Sequence, residues 1–197
     1  MKAALINLSL FKIAWFACVL LAASGRPLWA SLAACVAILV HLGRVAVPVK
    51  EALYLSAAAL IGLAWESFML STGLVIYPEG SAAGGWPPHW IIAMWALFAT
   101  TIGHGLEWMK RHWALCSAFG LIGGPLAFLA GSAMGAVAFP DTIAALATIA
   151  LGWALLLPLL ALLSDTLIDS AFLEPADERV VTPSQARGYA VSRGQEI

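Results

Sequence analysis

The chain has 197 residues, of which 62% are hydrophobic and only 11% charged, and its formal net charge is −1. Soluble domains carry about 25% charged residues, so this composition excludes an ordinary soluble domain. Near-neutral charge without a Lys/Arg cluster argues against nucleic acid as a partner. Cys18, Cys35 and Cys116 are singletons with no CxxC or Cys/His ligand spacing, which argues against a disulfide relay or a structural zinc.

Six apolar runs follow in chain order: Leu5–Ala23, Leu28–Val47, Glu51–Gly73, Pro88–Met109, Trp113–Gly131 and Thr142–Leu163. Each approaches the about 20 residues that a bilayer-crossing helix needs. The first, with Lys2 ahead of it and Leu21-Ala22-Ala23-Ser24-Gly25 at its end, resembles a signal peptide. Lys12 in its middle and its length favour a retained span instead. The connection from Tyr77-Pro78-Glu79-Gly80 to Trp86-Pro87-Pro88 is the longest, rich in turn formers and helix breakers. Span five carries Gly120, Gly123, Gly124 and Pro125. Pro125 has no N–H to give and clashes with the carbonyl of Leu121, so this helix is expected to be broken or kinked. Its glycines would also permit close helix approach. Asp141 is the expected N-cap of span six. The composition changes after Ser164, giving a transmembrane domain over 1–164 and a polar, partly disordered tail over 165–197.

Basic residues lie before span one (Lys2), between two and three (Arg44, Lys50), between four and five (Lys110, Arg111) and after six (Arg179, Arg187, Arg193). Arg26 is the exception among the alternate connections. The positive-inside rule then places both termini in the cytoplasm. The expected fold is an all-α integral membrane protein, a six-transmembrane-helix bundle with N and C termini cytoplasmic.

The segments Phe11–Cys18, Ile61–Ser67, Trp95–His104, Gly120–Leu126 with Gly131 and Gly135, and Trp153–Pro158 resemble a family of small bacterial inner-membrane proteins catalogued as domain of unknown function 2878. The resemblance covers all six spans and excludes the tail. It implies a multi-pass protein of the bacterial inner membrane, sometimes encoded beside fatty-acid-modifying genes, with no catalytic residues to carry over.

Depth sorts the polar residues. With about 1.5 Å of rise per residue, Lys12, His41, His104, Glu107 and Asp165 fall in the cytoplasmic third of the bundle. Thr100, His104, Glu107 and Arg111 follow i, i+4, i+7, i+11 along span four and would share one helical face. A histidine held by a carboxylate is a tuned general base, which makes His104 and Glu107 the candidate catalytic pair. Lys12, His41, Thr100, Glu66, Gly123, Gly124 and Pro125 are the candidate substrate-binding residues. The plainer reading is a structural network in which Glu107 pairs with Lys12 or Arg111. Glu66 lies about two turns below the outer end of span three, where only an inward-dipping Arg26 would reach it. His41 and His104 share a layer, but two lone histidines satisfy no ligand motif, so no metal is assigned and cofactors stay open.

No P-loop, GxSxG or HExxH occurs. The favoured function is lipid or fatty-acid related, a membrane-embedded enzyme or accessory subunit with a polar site facing the cytoplasm. A small-molecule transporter or substrate-binding membrane subunit is the second reading, and a structural partner without a ligand the third. Expected partners are membrane lipids and another membrane protein or a fatty-acid-modifying enzyme.

Overall fold

A computed structural model describes residues 2–78 and 85–168. Among these residues the chain forms seven helices: α1 (Lys2–Ala23), α2 (Pro27–Leu42), α3 (Pro48–Ser71), α4 (His89–Ile102), α5 (Glu107–Lys110), α6 (Trp113–Ala133) and α7 (Thr142–Leu167). Four of them, α1, α3, α6 and α7, are long and apolar enough to cross a membrane. Leucines, isoleucines and valines cover their outward faces (Ile13, Leu60, Ile122, Leu151 and Leu155 among them). The chain is built as a membrane protein.

Proline and glycine set the helix limits. Pro27 and Pro48 open α2 and α3, where a missing N–H costs nothing. Gly25 (φ 71°) and Gly135 (φ 86°) take left-handed conformations just past α1 and α6, and the next amide in each case returns to the helix, Arg26 N–H to Leu21 C=O and Ala136 N–H to Gly131 C=O. Asp141 caps α7 as expected, its carboxylate accepting from Ala144 N–H at 3.0 Å.

Span four departs from the sequence expectation. It is not one helix over Pro88–Met109: α4 stops at Ile102, and a turn leads into the single-turn α5. The amides of both Gly105 and Leu106 donate to Thr101 C=O, at 2.7 and 2.8 Å. A Cβ at Gly105 would press on Leu8 and on Asn7 of α1, so the turn packs where only glycine fits. With 14 residues α4 spans about 21 Å and α2, with 16, about 24 Å, both short of the about 30 Å of a hydrocarbon core. α4 is apolar on all sides because it is interior, packed by α1, α2, α3 and α7.

Span five corrects a second expectation. α6 runs as one helix through Gly120–Pro125, with Pro125 inside it, so the break among the expected alternatives does not occur. Its glycines serve packing. A Cβ at Gly120 would meet the Trp153 carbonyl, and one at Gly124 the Trp153 ring. Gly62 receives Trp95 and Gly152 receives Trp65 in the same manner. Tryptophan against glycine thus holds α3 to α4, α7 to α3 and α6 to α7.

Hydrogen bonds place successive connections at opposite ends. At one end Ile76 and Ala138 exchange both backbone bonds, at 2.9 and 2.8 Å, joining the α3–α4 and α6–α7 connections. At the other, Lys110 of α5 pairs with Asp165 near the end of α7 at 2.8 Å. α7 therefore passes the expected boundary at 164, while residues 169–197 of the expected tail lie outside the described residues.

Candidate functional site: an apolar cavity and a histidine–carboxylate cluster

Two polar arrangements occupy different places in the bundle. The first belongs to a cavity of about 440 Å³ between α1, α4, α6 and α7, within the about 300–1,000 Å³ of small-molecule sites. α1 and α6 flank it without extensive packing on each other. Along α6 it extends from Phe119 to Gly131, about 18 Å at helical rise. Phe11, Trp15, Phe16, Trp90, Phe98 and Trp153 form much of its wall. Trp153 is stacked on Trp95 with ring centres 4.9 Å apart.

A lysine, a glutamate and a tyrosine, Lys12, Glu66 and Tyr77, line this cavity. Lys12 is exposed on α1, without an ion-pair partner among the described residues. Glu66 of α3 is fully buried. One of its carboxyl oxygens accepts from the Trp95 indole N–H at 2.9 Å and the other from the Tyr77 hydroxyl at 2.5 Å. Burial, and then the adjacent Glu66, hold the Tyr77 phenol well above its usual value, so it stays protonated and donates. The partners of Glu66 are these neutral donors; Arg26 is exposed beyond α1. Gly123 and Gly124 line the cavity too, and a Cβ at Gly123 would meet nothing within 4 Å. Pro125, one position on, is not part of the wall.

The second arrangement lies where the start of α1, the end of α2, the start of α3 and the turn after α4 meet. Glu51, in the first turn of α3 and 1% exposed, accepts at one oxygen from His41 Nε2 at 2.8 Å and from His104 Nε2 at 3.2 Å. The two imidazoles meet edge to face, 4.9 Å between centres. Asn7 of α1 completes the cluster. Its Nδ2 donates to Thr100 C=O at 3.1 Å and lies 3.3 Å from His41 Nδ1. A carbonyl only accepts, so the atom facing it is the NH₂ group, and His41 Nδ1 must then be the acceptor. The His41 proton is therefore on Nε2, directed at Glu51. The other carboxyl oxygen of Glu51 and the Asn7 carbonyl oxygen are buried without partners among the described residues.

Of the residues anticipated from sequence, Lys12, Glu66, Gly123 and Gly124 share the cavity, and His41 and His104 share the cluster. The two groups do not form one site. Thr100 contributes its carbonyl, while its hydroxyl bonds Leu97 of its own helix at 2.7 Å. Glu107 is exposed at the start of α5, and the carboxylate against His104 is Glu51. The helical face that paired His104 with Glu107 ends with α4. Glu51 was missed because it stands at the edge of an apolar run, where an acidic residue reads as a favourable helix-start charge. Asn7 gave no signal in the sequence.

The model of the family described as protein of unknown function (DUF2878) matches residues 4–159. The chain belongs to that family. The match covers all seven helices but for the start of α1 and the end of α7, so the cavity and cluster both belong to the DUF2878 unit. No curated protein and no solved structure matches the chain.

Proposed function

We propose that this DUF2878 protein holds a long-chain amphiphile, a fatty acid or a lipid derived from one, in the cavity between α1, α4, α6 and α7. The observation that carries this reading is a long aromatic and aliphatic cavity with a cation, Lys12, on its wall. An acyl chain would lie along the α6 glycine face and its carboxylate or phosphate would pair with Lys12. The weak packing between α1 and α6 offers entry from the lipid phase. Glu66, with both oxygens held by neutral donors, would shape the far end of the cavity.

In the same proposal, α2 and α4 complete six crossings and both termini face the cytoplasm of a bacterial inner membrane. Two features support it. Successive connections alternate between the ends of the bundle, and Arg44, Lys50, Lys110 and Arg111 lie at or beside the connections of one end while Arg26 stands at the other. Lys12, nearer the first end, can reach that interface. The role is binding or presentation of the amphiphile to a partner enzyme, because the histidine–carboxylate cluster of His41, Glu51 and His104 lies outside the cavity. The transporter reading loses the broken helix, since span five is continuous, but keeps the cavity expected at its glycines.

Titration of the detergent-solubilised protein with a fluorescent long-chain fatty acid tests the proposal. Saturable binding, weakened at least tenfold by Lys12→Met, is expected, a loss of about 1.4 kcal/mol. Absence of saturable binding by the wild type would refute it.

A further inference from the structure

We propose that His41, Glu51 and His104 form a binding site for a first-row divalent transition-metal ion of the Zn²⁺ class. The inference is independent of the amphiphile reading, since none of the three residues lines the cavity.

The donor spacing is the first argument. One ring nitrogen each of His41 and His104 and a Glu51 oxygen all lie within 4.8 Å of one another. Ligand atoms about 2.0–2.2 Å from a shared ion stand about 2.9–3.5 Å apart in octahedral or tetrahedral arrangement. The two histidine nitrogens are already 2.8 and 3.2 Å from the Glu51 oxygen. Two imidazoles and one carboxylate suit Zn²⁺, Fe²⁺ or Co²⁺ and not the all-oxygen cations.

The orphaned atoms are the second argument. Glu51 has a second oxygen, buried and unpartnered, available to complete a bidentate ligand. For His41 to ligate through Nε2 its proton must move to Nδ1, and a ligating imidazole then needs an acceptor behind it. Asn7 carries that acceptor, a carbonyl oxygen buried without a partner. Asn7 Nδ2 now faces both His41 Nδ1 and Thr100 C=O, so presenting this oxygen to an Nδ1–H requires the side chain to swing away from Thr100 C=O, because two carbonyl oxygens repel. The proton count is unchanged: both imidazoles stay neutral, each moving its proton from Nε2 to Nδ1, and the partly exposed His104 can give its Nδ1–H to water. His104, about one-third exposed at 35%, leaves a side of the site open for water or a further ligand.

The full chain, carrying an affinity tag without histidines, is stripped with chelator and titrated with Zn²⁺, then with Co²⁺ to read its visible ligand-field bands. One equivalent per chain is expected. His104→Ala, at a partly exposed position, is expected to lower affinity at least tenfold and to shift the Co²⁺ spectrum. Asn7→Leu is expected to lower affinity about 10- to 100-fold, as loss of an outer partner does. His112→Ala, an exposed histidine elsewhere, is expected to change nothing. Failure of the wild type to bind one equivalent of either ion overturns the proposal without recourse to any variant. So does a His104→Ala protein that binds as the wild type does.

Discussion

Glu66 and Lys12 are the acid and the base of the cavity wall, and they respond differently to substitution. Glu66 satisfies the Trp95 indole and the Tyr77 hydroxyl. Glu66→Ala leaves the Trp95 indole unpaired and opens space beside it, at about 3–5 kcal/mol. Glu66→Gln keeps an acceptor for Trp95 and can donate to Tyr77, so about 1 kcal/mol or less is expected. Thermal unfolding in detergent separates the two, and equal loss in both variants would mean that charge at Glu66 matters more than its hydrogen bonds. Lys12 is exposed, and its replacement by Met is expected to leave the melting temperature nearly unchanged while weakening fatty-acid binding.

At the scale of elements, α6 gives the sharpest contrast. Gly120 faces the Trp153 backbone, whereas Gly123 faces open space in the cavity wall. Gly120→Leu is expected to separate α6 from α7 and cost several kcal/mol, because backbone cannot yield as a flexible side chain does. Gly123→Leu is expected to fold normally and to fill the cavity. Melting and fatty-acid binding measured on both variants check the pair; normal binding by Gly123→Leu would remove α6 from the site. The long apolar helices were legible because length and composition decide them, and the ends of α1, α6 and α7 follow the sequence within a few residues. The split of span four was not read, although Gly103 and Gly105 stood in it. Their meaning depends on α1 packing against the turn, which one-dimensional periodicity does not carry. Pro125 shows the converse, a strong local signal overridden by a continuous helix. The Gly105 turn is decided by Leu8 and Asn7, distant in sequence.

For the whole molecule, the sequence could not assign the polar residues to partners. His41 and His104 were placed in one layer, and they do meet. Lys12 was placed in that layer as well but projects along the cavity side of α1, and Glu66 found Tyr77 and Trp95 through contacts 11 and 29 residues away. Topology is checked by reporter fusions after Gly85 and at the C-terminus: the first is expected outside and the second in the cytoplasm. Reporters on the same side would contradict six crossings. The central claim, an amphiphile along the α6 glycine face, is tested most directly by native mass spectrometry of the protein purified in mild detergent, wild type beside Gly123→Leu. The account requires one fatty acid or lipid retained per wild-type chain and none on the folded variant. Equal retention by both chains, or a wild type with no adduct even after incubation with long-chain fatty acid, would contradict it.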